Sequence, residues 1–149
     1  MKNIDPRTAA RVWERVQAPA GIGDAPAIQA LLAEEMLDAL TYRQLSKKLP
    51  PAPAAMALQL SRQEQTHVTC LRGIYAMLTG SAPKILPQAP QDDSPGIVLR
   101  RCYGREMRCL AQYEARQTDP QYGHIFRKLS KEEQEHCHRI LEILGMLTK

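Results

Sequence analysis

Leu60-Ser61-Arg62-Gln63-Glu64-Gln65-Thr66-His67 returns later in the chain as Leu129-Ser130-Lys131-Glu132-Glu133-Gln134-Glu135-His136. Each copy sets a Glu-x-x-His pair into an apolar stripe of helical spacing. The first stripe runs Leu60, Glu64, His67, Leu71, Ile74 and Leu78. The second runs Phe126, Leu129, Glu133, His136, Ile140, Ile143 and Leu147. Steps of three and four keep such residues on one side of a helix, the side that faces a core. An unpartnered polar group buried there costs roughly 2–7 kcal/mol, and an ionised one more. A metal ion is the most economical compensation for a carboxylate and an imidazole on each of two such helices.

Outward from these motifs, proline and glycine divide the chain. One helix is expected over about residues 26–48, with Asp24 as its cap. Pro50-Pro51-Ala52-Pro53 links it tightly to a second helix over about 54–78, which Gly80 closes. Ser94-Pro95 opens a third that runs to about Gln117, and Asp119-Pro120 opens a fourth that runs to the C-terminus. Short links make antiparallel neighbours of the first and second helices, and of the third and fourth. The proline-rich stretch from Thr79 to Gln91 must instead return along the bundle. About 15 extended residues reach some 50 Å, against roughly 35 Å for a helix of about 23 residues. The fold class expected is therefore an all-α four-helix bundle over residues 26–149. Residues 1–25 would hold a linker and a short helix near 7–17, in which Trp13 anchors against the bundle or a partner subunit.

The other two helices also echo one another. Glu35-Met36 is followed by Tyr42, and Glu106-Met107 by Tyr113. Their stripes read Ile28, Leu31, Glu35, Asp38, Tyr42, Leu45, Leu49 and Leu99, Cys102, Glu106, Cys109, Tyr113. The chain is thus a duplicated helical hairpin, each half offering one lone Glu and one Glu-x-x-His. Glu35, Glu64, His67, Glu106, Glu133 and His136 make the ligand set of a carboxylate-bridged two-metal centre. Two divalent cations would balance four carboxylates, and the donor types suit iron, with manganese as the alternative. Asp38 is a candidate extra ligand. Without metal, the six residues would need a fully satisfied polar network, which is unstable when incomplete. Glu34 competes with Glu35, but the Glu-Met match between the halves favours Glu35. Glu135 with His138 forms another Glu-x-x-His pair that points away from the stripe, and His124 lies near a turn; both are expected in solvent.

Composition excludes several functions. The 149 residues suit one principal core. The net charge of +4 is spread without a basic run, so no nucleic-acid partner is expected. No stretch approaches the roughly 18 apolar residues of a membrane span, and the N-terminus lacks the apolar segment of a signal peptide. A cytoplasmic protein with reduced thiols is expected, because Cys70, Cys102, Cys109 and Cys137 form no Cys-x-x-Cys pair. Cys102 and Cys109 are expected to be small core fillers.

Over roughly residues 26–147 the pattern resembles the ferritin-like superfamily, and within it the rubrerythrin group. The resemblance rests on the two Glu-x-x-His motifs, the Glu-x6-Tyr spacing in each half and the duplicated hairpin. It implies a buried centre of two iron ions that reduces peroxide or reacts with dioxygen. It also implies that Tyr42 and Tyr113 hydrogen-bond to ligand carboxylates. Two departures stand out. The chain has no rubredoxin-like module, so a separate electron donor such as a rubredoxin-like protein would be needed. Where many rubrerythrins carry an extra Glu one turn beyond the third-helix ligand, this chain has Cys109, while Asp38 occupies the pseudo-symmetric position. Bundles of this type often pair, so a homodimer is expected. A ferroxidase that oxidises Fe(II) for storage or transfer, and a non-enzymatic metal-stabilised helical module, are the alternative functions.

Overall fold

Three helix starts among the described residues coincide with prolines, whose missing N–H is no loss in a first turn. The computed structural model describes residues 24–148. Among them lie four helices and no strand: α1 Ala25–Ser46, α2 Pro51–Thr79, α3 Pro95–Glu114 and α4 Gly123–Leu147. Proline stands in the first turn of α1, α2 and α3. The short helix expected near residues 7–17, with Trp13, lies outside the described residues.

The helices form an all-α bundle of two hairpins. α1 packs along α2 and α3 along α4, and contacts of α1 with α3 and of α2 with α4 close the ring. The residues between α2 and α3 return beside α1. The Gln29 side-chain amide donates to the Lys84 carbonyl at 2.9 Å near the start of α1. Lys48, just past the end of α1, pairs with Asp92. This crossover brings the start of α3 to the end of α1, so the two helices run antiparallel. Gly80, at φ 73°, ends α2 in the left-handed conformation that glycine adopts without penalty.

All four predicted stripes face inward. They form two apolar layers with a polar layer between them. One layer gathers Ile28, Leu32, Leu71, Ile74, Tyr113 and Phe126 with their neighbours. The other gathers Tyr42, Leu45, Leu60, Leu99, Ile140 and Ile143. Along every helix the acidic and histidine positions fall between these two sets, which places them at mid-bundle and seals them at both ends. No helix among the described residues is long and apolar enough to cross a membrane.

Helix boundaries depart from expectation where local bonds compete. α4 starts at Gly123 rather than at Pro120, because Asp119 Oδ1 accepts the Gln121 and Tyr122 backbone N–H groups at 2.9 and 2.7 Å. That Asx turn diverts the chain before the helix begins. α3 stops at Glu114, and its exit tightens into three-residue bonds, Arg116 N to Tyr113 O and Gln117 N to Glu114 O. α2 begins at Pro51, so both Pro51 and Pro53 sit inside its first turn. Asp24 and Ser94 stand at the caps of α1 and α3, yet neither side chain makes a capping hydrogen bond.

Gly123 meets a close approach: a Cβ there would lie 2.4 Å from the Gln117 carbonyl oxygen. Backbone must shift to admit it. Gly123→Ala is expected to destabilise the protein by about 1–3 kcal/mol, read as a lower urea midpoint with an unchanged slope.

Candidate metal centre

Each helix contributes to the mid-bundle layer through the same periodicity that builds the core. Glu35, Glu64, Glu106 and Glu133 are fully buried, and Asp38, His67 and His136 are 1% exposed. The structure thus brings together all six predicted ligand candidates and Asp38. His124 and His138 are exposed, as is Glu135. The ligand atoms of Glu64, His67, Glu133 and His136 lie within 4.8 Å of one another, as do those of Asp38, Glu64 and Glu106. Either group could hold a metal ion.

The arrangement is pseudo-symmetric. The imidazoles of His67 and His136 stack, with ring centroids 5.3 Å apart. His67 Nδ1 faces Glu133 at 2.9 Å and Glu35 and Glu64 at 3.6 Å each. His136 Nδ1 faces Glu64 at 2.7 Å, Glu106 at 3.3 Å and Glu133 at 4.0 Å. Glu64 and Glu133 therefore lie against both imidazoles, while Glu35 lies against His67 and Glu106 against His136. Each of these last two is held by a tyrosine from the opposite half. Tyr113 Oη donates to Glu35 Oε1 at 2.7 Å and Tyr42 Oη to Glu106 Oε1 at 2.8 Å. Phenols suit this task because a buried O–H needs an acceptor and the ring fills the adjoining apolar layer.

Hydrogen bonds within the protein do not satisfy the cluster. Glu35 Oε2, both Glu64 oxygens and Glu133 Oε2 are buried without a well-aligned donor. Glu64 Oε1 comes within 2.7 Å of His136 Nδ1 but lacks the angle of a hydrogen bond. Four orphaned carboxylate oxygens converging on two imidazole nitrogens fit a cation better than they fit one another.

In the metal-free protein, protons supply the missing positive charge. Burial, reinforced by the adjacent Glu64 charge, raises the Glu106 carboxyl well above the usual range. Burial also works against ionised Glu64, but the close approach of the His136 and His67 imidazoles outweighs it and lowers Glu64 to about 2. Burial likewise opposes protonation of His136, yet Glu106 and Glu64 override it and raise the imidazole to about 9. His67 is raised too, against the effect of burial, by Glu64 and Glu132.

Three participants carried no role in the sequence pattern. The outer nitrogen of His67, Nε2, donates to Glu132 Oε2 at 2.6 Å. His136 Nε2 donates to Gln63 Oε1 at 2.9 Å. Both acceptors can only receive a proton there, which leaves each Nδ1 turned toward the carboxylates. Gln63 and Glu132 occupy the same position of the repeat, immediately before Glu64 and Glu133, and that coincidence was the available signal. Arg105 is the third. Its Nε donates to Asp38 Oδ1 at 2.6 Å, and the pair is 14% and 1% exposed. Burial nevertheless prevails over the Arg105 charge and raises Asp38 to about 6. A buried Asp in an apolar stripe implies such a partner, but not which arginine supplies it. Cys102 and Cys109 pack on either side of Glu106, and burial pushes the Cys102 thiol up to about 12 and the Cys109 thiol higher. Both remain protonated core residues.

These shifts set the pH behaviour of the metal-free protein. His136 is bound more tightly as its protonated form in the folded state, so its contribution is complete below pH 6.5 and disappears as pH rises toward 9. Asp38, raised by burial, costs stability progressively between pH 3.8 and about 6. Glu64 acts in the opposite direction, and its contribution is lost only as pH falls from 4.5 toward 2. Calorimetry of the metal-free protein should show a falling Tm between pH 6.5 and 9. Tyr42→Phe and Tyr113→Phe should each lower stability by about 1–3 kcal/mol in chemical denaturation, because each leaves a buried carboxylate oxygen without its donor. Comparison with family models, with curated proteins and with solved structures finds no match to this chain.

Proposed function

We propose that this chain is a di-iron carboxylate protein of the ferritin-like, rubrerythrin type that reduces peroxide or reacts with dioxygen. One observation carries this reading: Glu64 and Glu133 each lie against both imidazoles, while Glu35 and Glu106 each lie against one. That is the disposition of two shared and two terminal carboxylates around a pair of cations. His67 with Glu35 would serve one position and His136 with Glu106 the other, with Glu64 and Glu133 common to both.

The charge balance supports it. Two divalent ions would neutralise four carboxylates and displace the protons that Glu106 and His136 hold in the metal-free state. Affinity should therefore rise with pH over the range in which those protons leave. Peroxide needs two electrons and two protons to become two waters; bound iron would supply the electrons, and a separate reductant of rubredoxin type would restore them. The protein's own share is positional. Tyr42 and Tyr113 each engage one oxygen of a terminal carboxylate, which directs the second oxygen inward. The apolar layers above and below exclude bulk water and strengthen every charge interaction between them. Manganese would use the same donors, so metal content distinguishes the two.

Anaerobic loading with Fe(II) is expected to give two irons per chain by elemental analysis. Mixing the reduced protein with peroxide in a stopped-flow instrument should then produce near-ultraviolet absorption of an oxidised iron pair. Glu64→Ala and Glu133→Ala should each drop the stoichiometry below two, since each removes a ligand common to both positions. A wild-type protein that stays colourless and iron-free after loading would overturn the proposal.

A further inference from the structure

The two halves of the centre are not copies of one another in charge. Gln63 and Glu132 are equivalent in the repeat, yet one is a neutral amide and the other a carboxylate. His136 Nε2 donates to the amide at 2.9 Å, and His67 Nε2 donates to the carboxylate at 2.6 Å. A carboxylate behind a ligand imidazole makes the imidazole more basic and adds negative charge to the position it serves. Apart from His67 itself, Glu132 pairs among the described residues only with the largely exposed Lys128, at 4.0 Å.

A second asymmetry runs the same way. Asp38 adds a carboxylate on the His136 side, close to Glu64 and Glu106. It is neutralised by its own ion pair with Arg105. The repeat position equivalent to Arg105 is Glu34, and that equivalent to Asp38 is the buried, protonated Cys109. Among the described residues Glu34 makes no ion pair, although Arg108 lines the same surface cavity. The His67 half thus has a carboxylate behind its imidazole, where the His136 half has a neutral amide and an aspartate already paired with Arg105.

A surface cavity lies beside each half, the smaller one, of about 290 Å³, being lined by Glu34 and Cys109. A cavity of about 490 Å³ lies between the crossover and the α1–α3 face, lined by Thr41, Gln88, Gln91, Arg101 and Arg105 among others. Arg105 lines this cavity and pairs with Asp38.

We propose that the two cation positions are inequivalent. The His67 position, backed by Glu132, binds tightly and fills first. The His136 position, backed by Gln63 and bordered by Asp38–Arg105, is the weaker and exchangeable one. This rests on the two-metal reading above. Chain residues alone set the order: one glutamate against one glutamine at the outer nitrogens, and one arginine that cancels Asp38.

Co(II) titration of the full-length metal-free protein, followed by absorbance and calorimetry, tests this. The wild type is expected to bind two ions in two steps whose Kd values differ by at least about tenfold. Glu132→Gln should weaken the first step about 10–100-fold and merge the two. Gln63→Glu should strengthen the second step and merge them from the other side, which keeps the test decisive if Glu132→Gln fails to fold. Two indistinguishable wild-type steps, or a first step unmoved by Glu132→Gln and a second unmoved by Gln63→Glu, would overturn the inequivalence while leaving the two-metal reading intact. Uptake of fewer than two ions by the wild type would overturn that reading, and this proposal with it.

Discussion

The cost of burying four glutamates, an aspartate and two histidines in one layer constrains everything else in the bundle. An isolated buried carboxylate loses several kcal/mol of solvation even after its surroundings relax. Coulomb attraction at 3–4 Å returns that energy only when opposite charge sits within the layer. Here the compensation is distributed. Tyrosines serve the outer oxygens of Glu35 and Glu106, Arg105 serves Asp38, and protons on Glu106 and the imidazoles serve the centre. The orphaned oxygens that remain all belong to the inward faces of the carboxylates or to Glu34 at the flank, apart from two other polar side-chain atoms away from the layer.

This constraint also explains the layering. Leu, Ile and Phe close the polar layer at both ends, and the two tyrosines straddle the boundary with ring in one layer and hydroxyl in the other. Duplication makes the arrangement economical. A single hairpin places one Glu and one Glu-x-x-His on its inner stripe, and two hairpins facing each other complete the set. The crossover between α2 and α3 permits this by returning α3 antiparallel to α1, so that Tyr42 reaches Glu106 and Tyr113 reaches Glu35.

Much of this was legible before any coordinates. The steps of three and four placed Ile28, Glu35, Tyr42 and Leu45 on one face of α1, and all four are buried. The same arithmetic separated His136 from His138, which differ by two positions and lie on nearly opposite sides of α4. Boundaries were less legible, because Asp119-Pro120 can start a helix or an Asx turn, and the choice depends on the approach of residue 123 to the Gln117 carbonyl. Asp24 and Ser94 do stand at the N-caps, as their residue types suggest, but neither side chain turns back to bond the first-turn N–H groups.

Periodicity and duplication, then, were determined by the sequence alone: four inward stripes, the polar positions within them and the need for a long return between the hairpins. These follow from the geometry of one helix and the reach of an extended chain. Tertiary structure decided the pairings that cross between helices. That His67 leans on Glu132 but His136 on Gln63, that Arg105 rather than another arginine meets Asp38, and that Glu64 and Glu133 stand against both imidazoles all depend on interhelical rotation and offset. A stripe specifies which side of a helix is buried; it does not specify which residue of the facing helix stands opposite, because that register is set by the packing of all four helices together.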